Sequence, residues 1–217
     1  MNGSERKTLK AALFSTLRDQ LNGEGFKLKA ARNTFVCAHE GYSERFMLVC
    51  LDGKPGWRIQ PNVGIRIERV EEIFHKTSGF EAKYQGDTPT IGAAVGNVKE
   101  GDNRACEFLL ETPADVHRVA GAIMSVFHGF ATPYFNKFSS LSAIDAELNS
   151  RPTERTPNRP FPWLRCSTGI IVAKLVGRPD YDTLTRIYSD FLARTNKGFY
   201  LKRFEALLET LRTEAKS

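Results

Sequence analysis

The residues best able to do chemistry are few, and most lack the partners that chemistry requires. Glu71, Glu72 and His75 lie close together in ERVEEIFH, with Glu71 and His75 four residues apart. On a helix that spacing lets a carboxylate and an imidazole share a proton or a metal ion. Three such groups on one short helix are ordinarily a solvated surface, and that is the expectation here. His39-Glu40-Gly41-Tyr42-Ser43 begins like H-E-x-x-H, but Ser43 stands where the second imidazole would be. Cys166-Ser167-Thr168-Gly169 invites a thiol-phosphatase reading, yet Val172 occupies the position of the arginine that closes such an anion cradle. A cysteine before a helix N-terminus can have a lowered pKa, so Cys166 is a candidate reactive thiol, set against the plainer reading of a core residue. Asp115 and His117 point in different directions from a helix start. His128 reads as an imidazole at a helix C-terminus, favoured by the dipole. Gly92 and Gly96 form neither a dinucleotide fingerprint nor a phosphate loop, and no G-x-S-x-G elbow occurs. No cofactor is implied.

The four cysteines, Cys37, Cys50, Cys106 and Cys166, make no C-x-x-C pair, and their neighbours are mostly apolar. They read as reduced thiols of a cytoplasmic protein, and no metal site is expected from them.

Two stretches suit binding better than catalysis. In WRIQPNVGIRIE, from Trp57 to Glu68, odd positions are apolar, with Pro61 among them, and even positions are mostly polar. That is a strand with an apolar and a polar row; if helices cover only the apolar row, Arg58, Gln60, Asn62 and Arg66 present a flat positive patch, and the plainer reading is an ordinary wet sheet face. The second stretch is RPTERTPNRPFPWLR, in which Arg155, Arg159, Phe161, Trp163 and Arg165 mix cations with aromatic rings among prolines. Such mixtures suit single-stranded nucleic acid or an acidic protein groove. The plainer reading is a proline-rich spacer with Phe161 and Trp163 tucked into the core.

The elements that must position these residues follow from periodicity. Glu5 to Leu21 has an amphipathic helical stripe stopped by Asn22-Gly23. A hairpin follows over Phe26 to Glu40, turning near Arg32-Asn33, and RFMLVCL reads as a central strand. Asp52 to Gly56 is rich in turn residues. Pro61 lacks an N–H, which predicts an edge strand or a bulge. Glu68 to Ser78 reads as a short helix, Phe80 to Pro89 as irregular chain, and Thr90 to Asn97 and Ala105 to Leu110 as strands. After Pro113 the chain turns helical. One helix is expected to end at Gly129 and another to run from Pro133 to Asn149. Three more are expected over 167–176, 181–193 and 199–211. Strands followed by helices predict an α+β fold: an antiparallel sheet of about five or six strands packed on helices, with a helical C-terminal third. The expected organisation is an α+β domain over 1–150, a Pro/Arg-rich loop over 151–166, and a helical extension over 167–217 packed on the same domain.

At 217 residues, net charge +6 and 41% hydrophobic composition, the chain can bury its own core. No run of eighteen apolar residues predicts a membrane span, and no secretory signal is read at the N-terminus. The basic balance permits an acidic partner without requiring one.

The leading helix running into Gly25-Phe26, the Trp57-led strand with Val63 to Glu68, and the proline-started stretch Pro133 to Ile144 resemble a bacterial family catalogued as domain of unknown function 4304. The resemblance covers roughly the first two thirds of the chain. It implies a fold and a bacterial source, and it brings no activity and no active-site residues. The last third departs from that compact domain.

Without a catalytic constellation, the sequence points to a non-catalytic protein-interaction module of toxin-neutralising or adaptor type, with another protein as partner. A nucleic-acid-binding accessory protein is the first alternative. An enzyme with an unrecognised site using Glu71, His75 or Cys166 is the second.

Overall fold

The computed structural model of the chain describes residues 3–53 and 55–214. Lys54, in the turn expected at 52–56, and residues 215–217 of the expected C-terminal extension lie outside them. The leading helix α1 (Gly3–Gly23) enters β1 (Lys27–Lys29), β2 (Thr34–Ala38), β3 (Tyr42–Asp52) and β4 (Trp57–Ile67). Then come α2 (Glu68–His75), the single turn α3 (Ala82–Gln85), β5 (Ile91–Ala94), α4 (Val95–Glu100) and β6 (Phe108–Leu110). The remainder is helical: α5 (Asp115–Val126), α6 (Thr132–Phe138), α7 (Leu141–Asn149), α8 (Pro162–Leu175), α9 (Tyr181–Arg194) and α10 (Leu201–Glu214). The six strands form one antiparallel sheet ordered β1-β2-β3-β4-β5, with β6 also pairing with β4, so the α+β expectation holds. Among the described residues no helix is long and apolar enough to cross a membrane.

The chain forms two compact units, each built from two segments. Unit 1 comprises Met1–Ile65 and Gly92–Asn136; unit 2 comprises Arg66–Ile91 and Lys137–Ser217. The division expected at residue 150 therefore falls inside unit 2.

In unit 1 the sheet is covered by α1 and α5. Leu9, Leu13, Phe14, Leu17 and Leu21 form the buried stripe of α1, as its helical spacing predicts. Phe14 stacks on Phe35 at 6.0 Å, and Phe127 takes Phe26 and Phe46 against its ring at 5.1 and 5.3 Å. The hairpin register places Phe35 opposite Phe46 and Cys37 opposite Glu44. Asn33 turns the chain between β1 and β2 in the left-handed region, which asparagine tolerates better than most residues.

Unit 2 is organised around α8, whose residues Arg165 to Ala173 are all buried. A helix apolar nearly all round belongs at the centre of a helical layer, and α2, α7, α9 and α10 surround this one. Gly169 is required at that centre. A Cβ there would lie 2.6 Å from Asn149 Oδ1 and 2.7 Å from Tyr188 Oη.

Several expectations are corrected: the strand expected over Thr90 to Asn97 ends at Ala94, where α4 begins, and α8 starts at Pro162, inside the expected loop. Pro61 is not on an edge, because β4 is interior. The β6 ladder on that strand covers only Trp57–Ile59 and does not reach Pro61. Gly129 does not end a helix. It lacks the left-handed conformation of a stop, and a π-helical turn over Phe127–Ala131 leads α5 into α6. The stretch from Pro133 to Asn149 instead breaks at Ser139-Ser140, where the Ser140 hydroxyl accepts the Ala143 N–H at 3.2 Å and caps α7.

Candidate functional site

The polar row of β4 does not form one patch. In unit 1, Gln60 donates to Glu107 Oε2 at 2.7 Å, and the half-exposed Arg58 lies 3.9 Å from Glu107 Oε1. These two residues, with Asn97, Asp102 and Arg104, line a polar cleft of about 560 Å³. The Asn62 side-chain oxygen is buried. Arg66 is only 7% exposed and belongs to unit 2, which removes it from the expected flat surface. The reason is local. At Arg66 the strand enters α2, and residues Gln85 and Thr88 of the intervening irregular chain close over the guanidinium with their carbonyls, at 2.8 and 2.9 Å.

Arg66 is one member of a buried polar cluster in unit 2. Its Nε donates to both oxygens of Glu68 at 3.0 and 2.9 Å, and its Nη1 lies 3.7 Å from Glu71 Oε2. Glu71 is fully buried, which corrects its expected place on a solvated helical face; Glu72 is the exposed member of that pair. Thr88 donates to Glu71 Oε2 at 2.5 Å, and Thr90 donates to Oε1 at 2.9 Å while accepting the Ile67 N–H at 2.9 Å. His75 Nε2 is 2.8 Å from Thr88 Oγ1 and 3.5 Å from Glu71 Oε2, and its Nδ1 is 2.9 Å from Ser78 Oγ. Burial by itself would raise the Glu71 pKa. The His75 contact, the charge of Arg159 and the two threonine hydroxyls outweigh it and hold the carboxyl below its ordinary value. Both carboxylate oxygens accept from threonine hydroxyls, and the side chain has no exposed surface. The cluster therefore ties α2 to the 85–90 segment and to Arg159, whose Nη1 donates to Pro89 O at 2.8 Å and Nη2 to Thr168 Oγ1 at 3.2 Å.

The Pro/Arg stretch is likewise divided. Arg159 and Arg165 are buried; Arg165 donates to Arg151 O at 3.3 Å and sits over the Phe191 ring. Arg155 is exposed, and Phe161 is 64% exposed rather than tucked into the core. Trp163 is half-buried at the start of α8, against Phe74 at 5.5 Å. Cys166 lies inside α8, not before it. Burial pushes its thiol up to about 12, although the Arg165 charge opposes that shift. It is a core residue without the electropositive, open setting of a reactive thiol.

What the structure adds is an aromatic–arginine surface in unit 2. Trp163 and Tyr200 stack at 5.2 Å with their planes 8° apart, and the Arg203 guanidinium lies 5.4 Å from the Trp163 ring centre. Phe199 meets Tyr200 edge-on at 4.9 Å and is 75% exposed, and Phe80, 38% exposed, lies 6.4 Å from Trp163. The backbone presents Phe199 deliberately. Asn196, Lys197 and Gly198 are three successive left-handed residues, and a lysine adopts that conformation only at some cost. Between Arg194 and Arg203 the chain has four cations and no carboxylate. Sequence reasoning stopped at the Pro/Arg loop and missed this surface. Its signal was the run KGFYLKR, which reads as an ordinary helix start until Trp163 is brought beside it.

Among the described residues one set of side chains could hold a metal ion: Cys37, His39 and Glu44, in unit 1. The sequence alone led to no expected metal site at the cysteines; here Cys37 has His39 two residues on, and the hairpin register adds Glu44 opposite it. No protein-family model, curated protein or solved structure matches the chain.

Proposed function

We propose that this chain is a non-catalytic protein-interaction module that binds a protein partner through the aromatic–arginine surface of unit 2. The cluster of Phe199, Tyr200, Trp163 and Arg203 supports this reading above all. Interface hot spots are enriched in tryptophan, tyrosine and arginine, packed as rigid anchors inside a polar rim. The cations at Arg194, Lys197, Lys202 and Arg203 select a partner surface with carboxylates around an apolar anchor. The closed state of Glu71 and His75 and the core position of Cys166 favour binding over catalysis.

Nucleic acid is the second reading, favoured by the same run of cations and by the open ring of Phe199. It fits less well. Base stacking needs free ring faces, and here Tyr200 already covers one face of Trp163.

The test is capture from lysate by the wild-type chain and by a Phe199→Asp, Arg203→Glu variant, with and without nuclease. The retained protein is then purified and its affinity measured for both. The expected result is one protein retained by the wild type in either condition, with binding to the variant weaker by at least about 30-fold. Equal binding by the variant removes the surface from the account. Retention lost on nuclease treatment, with affinity falling steeply in salt, moves the function to nucleic acid.

A further inference from the structure

The geometry points to a zinc site on the β2–β3 hairpin of unit 1, formed by Cys37, His39 and Glu44 with a fourth position open to solvent. Cys37 lies in β2, and His39 follows the last residue of that strand, where the chain enters the turn. The register sets Glu44 directly across from Cys37, where opposed side chains meet. The metal-ligating atoms of the three lie within 4.8 Å of one another.

The histidine is held in place. Its ring stacks on Tyr42 at 4.4 Å with the planes 12° apart, and its backbone N–H donates to Tyr42 O at 2.9 Å across the turn that Gly41 makes in the left-handed region. His39 Nε2 and Glu44 Oε1 are 3.3 Å apart. Two such ligands at zinc distances, with tetrahedral angles, stand about 3.3 to 3.4 Å apart, so one edge of the tetrahedron is already formed. The sulfur edges of such a site are about 3.6 Å, and closing from the widest observed separation asks for about 1 Å of side-chain movement.

The donor set selects the ion. A thiolate, a neutral imidazole and a carboxylate sum to two negative charges, which a divalent cation neutralises. Sulfur with nitrogen favours zinc over magnesium or calcium, which take oxygen ligands. A free cysteine thiol is mostly protonated at neutral pH. Binding is written Cys37–SH + Zn²⁺ → Cys37–S–Zn⁺ + H⁺, and affinity rises with pH. Partly exposed side chains leave the fourth position to water or to a ligand from another molecule, the arrangement that distinguishes open zinc sites from closed structural ones.

The test uses full-length protein without a histidine tag. Cobalt(II), added as a spectroscopic stand-in, should give tetrahedral visible bands and a near-ultraviolet thiolate-to-cobalt band, both abolished by excess zinc. Cys37→Ser should lose the near-ultraviolet band. His39→Gln and Glu44→Gln should each weaken zinc binding by at least about 10-fold with the circular dichroism of the fold unchanged. Absence of the band in the wild type, or its survival in Cys37→Ser through another cysteine, overturns the proposal. So does zinc affinity unchanged by both His39→Gln and Glu44→Gln.

Discussion

Two histidine–glutamate pairs in this molecule are nearly the same distance apart and do opposite things. His75 and Glu71 are 3.5 Å apart on α2 in unit 2; His39 and Glu44 are 3.3 Å apart on the β2–β3 hairpin in unit 1. The first pair is sealed. The Glu71 carboxylate is fully buried, and hydroxyls or cations surround both its oxygens. Every lone pair spent on a protein donor is one withheld from a metal or a substrate. The second pair is open, with Glu44 and His39 side chains 15% and 35% exposed and a thiol beside them. Proximity of a carboxylate and an imidazole thus says little by itself. What decides between structure and chemistry is whether the fold has already satisfied their bonding capacity.

The sealed pair can be broken most severely by removing its charge. Glu71→Ala leaves two buried guanidinium groups, Arg66 and Arg159, with one counter-charge fewer, and should cost about 3 to 5 kcal/mol of unfolding free energy in a urea titration. A loss under about 1 kcal/mol would place Glu71 with surface ion pairs and collapse the comparison. Acid should act more gradually on the same group. Its folded pKa is held below the unfolded value of about 4.3. Its contribution is therefore complete above that pH and is lost as pH falls through the folded value. Wild-type stability should drop below about pH 4 more steeply than that of Glu71→Gln. Thr90→Val should cost less, about 1 to 3 kcal/mol, because it removes one donor to Glu71 and the acceptor of the Ile67 N–H together.

The sealed cluster was hard to read for a physical reason, and the open one was nearly legible. Period-two alternation fixes which residues of β4 share a face, and it located Trp57–Ile67 within a residue of its observed end. It does not say what covers that face. Arg66 looked solvated because its cover, Gln85 to Thr90, has no periodicity of its own, and Arg159 reaches Pro89 across 70 residues of sequence. Glu71 looked exposed for the same reason: helical spacing groups it with Glu72 and His75 whatever packs against the helix. Cys37 and His39, by contrast, are two residues apart in sequence at the end of β2, and Glu44 follows from the register that sets it opposite Cys37. A search for C-x-x-C spacing, suited to knuckles, passes over ligands that a hairpin brings together. In the helical part the spacing was sufficient for α9 and α10. It could not show that Trp163, at the start of α8, stacks on Tyr200 just before α10.

The smallest expected effect tests the open pair most sharply. In metal-free protein Glu44→Gln should change stability by less than about 1 kcal/mol, because a partly exposed polar contact gains little over its solvated groups. With zinc the two proteins should separate. A ligand that binds only the folded state, present at 100 times its dissociation constant, adds about 2.7 kcal/mol. The wild type should show that gain as a rise in melting temperature, and the variant, whose affinity is at least about 10-fold weaker, should show only about half of it. A large loss in the metal-free variant would mean that Glu44 is as structural as Glu71. Equal zinc stabilisation of both would mean that the ion sits elsewhere. A difference that appears only with zinc would mean that the hairpin, unlike the buried cluster, has kept its bonding capacity for something outside the chain.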